Sequence, residues 1–156
     1  PNHCYPIMCD WQAPLSYQHP IKLSLQGIEI PVIGFIDLRY PEAVRELKTS
    51  GRPRSSIVDD HAFQVATYAM AIRQESGAWP QAFVDYLTPT GMTSYQLRNG
   101  KRWVKAVVDT AAGIRTLLDA APDRDALCAS ITPDYSHWLW RYRPNSLAAA
   151  KELFGE

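Results

Sequence analysis

Two neighbouring segments in the first third of the chain carry residue types that could perform chemistry together. Asp37 interrupts the apolar run that begins Gly34-Phe35-Ile36, and the segment Glu46-Leu47-Lys48 places an acid and a base two residues apart. A carboxylate among apolar residues is costly to bury unless it has a partner or a metal. Two carboxylates offer the hard oxygen ligands that Mg²⁺ or Mn²⁺ prefers, and a lysine beside them could orient a water or stabilise phosphate charge. From residue types alone, a partly buried salt bridge between Lys48 and one acid is the commoner arrangement.

Two strands must position these residues. The run from Ile33 to Leu38 predicts a strand covered on both faces, and residues 43–49 predict the next strand after the turn Tyr40-Pro41-Glu42. Side chains two apart on a strand emerge from the same face, so Glu46 and Lys48 share one face of the second strand. If the two strands pair, Asp37 and Glu46 converge at their adjacent ends.

The rest of the chain predicts an α/β fold, a mixed central β-sheet flanked by helices. Four prolines within residues 1–20 favour an irregular N-terminal arm, and residues 21–156 are expected to form a single domain. Asp59 or Asp60 could cap the first helix, Gly77 ends it, and Asn99-Gly100 is a hairpin signal. The strand that includes 33–38 is predicted to begin at residue 28. The remaining predicted strands cover 21–25, 81–88 and 95–99, and the helices cover 59–75, 103–118, 124–129 and 146–154.

With Gln64-Val65-Ala66-Thr67-Tyr68, these segments resemble the PD-(D/E)xK nuclease superfamily, most closely its RecB-like and phage-type exonuclease branch. That branch carries an Asp on one core strand, (D/E)-x-K on the next strand and Q-x-x-x-Y on the following helix. The likeness covers about Ile21 to Thr88 in the same order. It implies a restriction-endonuclease-like core and a Mg²⁺-dependent deoxyribonuclease of recombination, repair or phage DNA metabolism, with an exonuclease favoured. The alternatives are a catalytically inactive DNA-binding or structural module and a site-specific endonuclease.

The resemblance also implies roles for individual residues. Asp37 and Glu46 would bind Mg²⁺ or Mn²⁺ through their side chains, and Leu47 would bind it through its backbone carbonyl. Lys48 would position or activate the attacking water. Members of this branch usually have an upstream helix that supplies a further acid or histidine, and the proline-rich residues 1–20 offer no such helix.

Further residues border the expected site. Gln64 and Tyr68 lie four apart on one helix face, and in the family this pair helps to hold the catalytic lysine or the DNA backbone. For Tyr68, a core aromatic with its hydroxyl at the edge is an equally good alternative. Arg52 and Arg54, in the loop after the Glu-x-Lys strand, are candidates for phosphate contacts, and His61 is a weaker one.

Composition limits the class of partner. Sixteen Lys and Arg residues balance sixteen Asp and Glu residues, which excludes a protein that binds DNA through a large excess of positive charge. The balance is compatible with a protein that contacts only a few phosphates. Three scattered cysteines suit a cytoplasmic protein. The resemblance implies a bacterial or phage-encoded protein. Some relatives hold an iron–sulfur cluster on four cysteines, but only Cys128 lies in the corresponding region, so no cluster is expected. No apolar run approaches the ~20 residues that span a bilayer. DNA is the expected partner, and a homo-oligomer or a larger recombination complex stays open.

Overall fold

A computed structural model describes residues 11–155, which fall into two compact units. The described residues of the first unit are 11–112, and those of the second unit are 113–155. The first unit holds a five-stranded mixed sheet with helices, so the predicted α/β fold class is confirmed. Its elements are β1 (Ser16–Leu23), β2 (Val32–Arg39), β3 (Ala43–Thr49), α1 (Asp59–Ser76), β4 (Gln81–Thr88), β5 (Gly91–Gln96) and the start of α2 (Gly100–Ala120).

The strands follow one another across the sheet in chain order, from β1 at one edge to β5 at the other. Only β3 and β4, among these five strands, run parallel; their register pairs Glu46 with Val84 and Leu47 with Asp85. Parallel neighbours need a crossover connection, and α1 supplies it between β3 and β4. The apolar face of α1 packs on the sheet; its members include Val65, Ala69 and Ile72, against Ile36, Val44 and Val84.

Helix α1 begins and ends for local reasons. Val58 is the residue before the helix and makes no capping bond through its side chain, so the predicted capping by Asp59 or Asp60 is wrong. Both aspartates lie instead in the first turn, where their charges complement the positive end of the helix dipole. Gly77 ends the helix as predicted, because its φ of +79° is left-handed and its N–H donates to the Arg73 carbonyl.

Four further sequence predictions need correction. The strand predicted from Ile28 begins at Val32. The strand predicted from Ile21 begins at Ser16, because Pro20 sits on an edge strand, where a missing N–H is tolerated. The strand with Ile33 and Phe35 is covered on one face only, since these side chains are 77% and 59% exposed. Asn99 adopts a left-handed φ of +56°, and its carbonyl accepts from the N–H groups of Arg102 and Trp103. Asn99-Gly100 therefore starts a helix rather than a hairpin.

The second unit continues α2 and adds α3 (Arg124–Ala129), a short 3₁₀ helix (Trp138–Tyr142) and α4 (Pro144–Phe154). The Asp123 side chain caps α3 by accepting from the Ala126 N–H at 2.8 Å. Cys128 is a free, buried thiol on α3, and the other two cysteines, Cys4 and Cys9, lie outside the described residues. Among the described helices, none is long and apolar enough to cross a membrane.

Candidate metal-binding and catalytic site

The site forms where β2 and β3 separate. The two strands pair at Leu38–Arg45 and Arg39–Val44. Further along, the Leu47 N–H donates to Asp37 Oδ2 at 2.8 Å, so a carboxylate lies where a partner strand would be. The N–H and C=O of one strand residue point to the same edge, so the Leu47 carbonyl also faces β2. The sequence predicted that Asp37 and Glu46 converge. In the structure Asp37 bonds the neighbouring Leu47 N–H, and its charge acts on the Glu46 carboxyl.

Glu46 is a buried carboxylate with one bonded oxygen and one unbonded oxygen. Its Oε1 accepts from Lys48 Nζ at 2.7 Å and from Gln64 Nε2 at 2.9 Å. Its Oε2 is buried and has no partner among the described residues. Burial raises the pKa of Glu46 above its usual value, the charge of Asp37 adds to the rise, and the bond from Lys48 opposes it. A buried carboxylate oxygen without a partner is energetically unfavourable, and a cation would correct the deficit.

Gln64 and Tyr68 reach the same carboxylate from α1. Gln64 Nε2 lies 2.7 Å from the Tyr68 hydroxyl as well as close to Glu46, so the four-residue spacing places both at the site. The Tyr68 ring is 6% exposed, and burial raises the pKa of its hydroxyl. Tyr68 is therefore a core aromatic whose hydroxyl borders the site, and a role in holding the lysine or the DNA backbone stays a prediction. Gln64 contacts Glu46 rather than Lys48, so it holds the acid and not the base.

The three predicted DNA-contacting residues lie in the adjoining loop and helix. Arg52 and Arg54 are exposed, and neither forms an ion pair with a described residue. The Tyr95 hydroxyl donates to the Arg54 carbonyl at 2.6 Å, which tethers their loop to β5. His61 Nδ1 is 2.8 Å from the Tyr86 hydroxyl, and burial, followed by the charge of Lys48, lowers the pKa of His61. A neutral His61 could meet a phosphate only through a neutral N–H, and its DNA contact stays a prediction.

Acidification should weaken the fold partly through His61. The pKa of His61 in the folded protein lies below its ordinary value of 6.5. The contribution of His61 to the free energy of unfolding is therefore complete above pH 6.5, and it is lost as the pH falls through the pKa of the folded state. His61→Asn keeps a polar partner for the Tyr86 hydroxyl but does not titrate. We expect the free energy of unfolding, measured with urea at stepped pH, to fall less steeply below about pH 6.5 in this variant. Identical pH profiles for the two proteins would contradict the prediction.

Two features of this region had no role in the sequence predictions. Gln18 Nε2 donates to Asp37 Oδ1 at 2.6 Å, so β1 also contributes a side chain to the site. The strand alternation that would have revealed it was masked by Pro20. On β4, Asp85 is fully buried and pairs with Arg45 at 2.7 Å, and the Arg45 guanidinium lies over the Phe83 ring at 4.3 Å. Arg45 is therefore part of the framework of the sheet rather than a free cation.

The donor set fits a hard divalent cation with few protein ligands. Within residues 11–155, no three His, Cys, Asp or Glu side chains cluster closely enough to hold a metal between them. Two carboxylates converge instead, and one of them has an orphaned buried oxygen. The Leu47 carbonyl could add a third oxygen ligand. Mg²⁺ and Mn²⁺ suit such a site, because Mg²⁺ usually keeps several waters and takes only one or two carboxylates.

Comparisons with known proteins bear on the fold. No family model and no curated protein matches the sequence. The fold is similar to that of a protein from Eubacterium rectale whose crystal structure is known and which is provisionally named an exonuclease. The two sequences are 15% identical, and the TM-score is 0.56. The match covers 92% of this chain and 55% of that chain. SSO0001 shares 18% identity over 76% of this chain and 59% of its own, but its TM-score of 0.47 is too low to add support. The likeness to the first protein shows the fold, an α/β core with a mixed sheet, and this chain spans about half the length of that protein.

Proposed function

We propose that the chain carries the catalytic core of a metal-dependent deoxyribonuclease that hydrolyses phosphodiester bonds. The observation that supports this most is the orphaned Oε2 of Glu46, buried beside a second carboxylate and next to an amine. A salt bridge alone would account for Lys48 and one oxygen of Glu46, but it would not account for Asp37 converging on the same point. The name of the E. rectale protein is consistent with this function.

Asp37, Glu46 and the Leu47 carbonyl would hold the cation. Bound there, Mg²⁺ or Mn²⁺ would supply Lewis acidity toward a phosphoryl oxygen and lower the pKa of a water. Lys48, with Nζ at 2.7 Å from Glu46 Oε1, would hold a water in line with phosphorus and stabilise the developing charge. Gln64 would keep Glu46 in place by donating to Oε1, and the unpartnered Oε2 would then be available to the cation.

Cleavage of end-labelled linear DNA and of covalently closed circular DNA, each with Mg²⁺ and with EDTA, tests the proposal. We expect Mg²⁺-dependent release of nucleotides from the linear DNA and little action on the circle, since an exonuclease needs an end. Lys48→Met, which keeps most of the chain length but removes the charge, should lower cleavage by about 10²–10³-fold. Cleavage of the circle would favour an endonuclease instead.

A second candidate is a DNA-binding module without turnover. The observation in its favour is that no third acid or histidine joins Asp37 and Glu46 among the described residues. Such a module should bind DNA equally well in EDTA and show no Asp37-dependent binding of Mn²⁺. Calorimetric titration of the wild type and of Asp37→Asn with Mn²⁺ separates the two functions.

A further inference from the structure

Gln18 has an unusual backbone at a defined place in the sheet. It lies between the paired residues Tyr17–Leu38 and His19–Ile36, and therefore opposite Asp37 across the β1–β2 ladder. Its φ is +47°, in the left-handed region that residues with a β-carbon adopt at a cost in free energy. Conformations of this kind persist only when the surroundings impose them, and they concentrate at functional sites.

The side chain of Gln18 shows what this conformation achieves. Its Nε2 donates to Asp37 Oδ1 at 2.6 Å, while the Leu47 N–H donates to Oδ2 at 2.8 Å. The Asp37 carboxylate is thus held by a hydrogen bond from β1 on one oxygen and by a hydrogen bond from β3 on the other. Both donors are neutral, so the negative charge of Asp37 is left for a cation, whereas a lysine or arginine at position 18 would compete with that cation.

We propose that Gln18 is a positioning residue that fixes the Asp37 carboxylate for the divalent cation. The inference rests on the metal role proposed above for Asp37. It adds a contribution from β1 that compensates for the small number of ligands, because a ligand held in its bound orientation loses less conformational freedom when the metal arrives. Residues that hold metal ligands in this way commonly contribute 10–100-fold to metal affinity.

Two substitutions separate positioning from support of the fold. Gln18→Gly removes the amide and relieves the left-handed φ, since glycine adopts it without steric cost. Gln18→Asn keeps an amide and tolerates the backbone, but its side chain is one methylene too short to reach Oδ1. For each variant, the Mn²⁺ dissociation constant is measured by calorimetry, and the unfolding temperature is measured in EDTA.

We expect Mn²⁺ affinity to fall about tenfold or more in both variants while the unfolding temperature of Gln18→Gly stays at or above that of the wild type. Unchanged affinity in Gln18→Gly, with the wild type binding Mn²⁺ through Asp37, would overturn this inference and leave the proposed function standing. A fall in both unfolding temperatures, with a parallel loss of binding, would make Gln18 structural and would also overturn it. A wild type without Asp37-dependent Mn²⁺ binding would overturn the proposed function and this inference together.

Discussion

Glu46→Gln should lower the rate of Mg²⁺-dependent cleavage by at least about a thousandfold. Loss of the metal would remove several kcal/mol of transition-state stabilisation. Each 1.36 kcal/mol corresponds to a tenfold change in rate. The amide has the size of the carboxylate and can still accept from Lys48 and Gln64. It lacks the charge that a divalent cation requires at the buried Oε2 position. Initial rates on end-labelled linear DNA measure the effect.

A matched control is available at the start of the same strand. Glu42 is exposed on the turn before β3, so Glu42→Gln makes the same chemical change outside the site. This control should cleave at the wild-type rate, and both variants should unfold cooperatively close to the wild-type temperature in EDTA. Cleavage that persists in Glu46→Gln would exclude Glu46 as a metal ligand.

Arg45→Met should destabilise the fold by about 3–5 kcal/mol, because it leaves a buried carboxylate without its partner. Asp85 is fully buried on β4, and the ion pair with Arg45 at 2.7 Å compensates its charge. Methionine retains the apolar contact with the Phe83 ring but supplies no hydrogen-bond donor. Urea denaturation at neutral pH measures the change in the free energy of unfolding.

A double variant identifies the cause. Arg45→Met combined with Asp85→Leu removes both charges and should recover most of the lost stability, since buried pairs can be replaced by apolar residues at little cost. Destabilisation of the double variant by as much as the single one would show that packing around Arg45, and not the unpaired Asp85, carries the effect.

The buried periodic elements were predictable from the sequence. β3 and β4 occupy the predicted residues and α1 stops before Gly77, because turn residues bound both strands and apolar residues recur at helical spacing on α1. The approach of Asp37 to Glu46 followed from the pairing of consecutive strands. The catalytic roles assigned to them remain proposals, since they depend on a cation and a substrate.

Other features depend on contacts that local patterns do not encode. Gln18 reaches the site through a left-handed backbone on an edge strand, and Pro20 beside it argues against a strand at all. The Arg45–Asp85 pair depends on the parallel register of β3 and β4, which only the tertiary fold sets. An apolar run also cannot tell whether one face or both are covered, and for this reason the exposure of Phe35 was not foreseen.

The bond from the Leu47 N–H to Asp37 makes one backbone proton a spectroscopic reporter of the site. A cation that withdraws electron density from the Asp37 carboxylate weakens this bond, and the Leu47 amide resonance should then move upfield in a ¹H–¹⁵N spectrum. Diamagnetic Mg²⁺ leaves the resonance visible during a titration. Occupancy of the site can thus be followed without substrate, by a nucleus that belongs to the β-sheet itself.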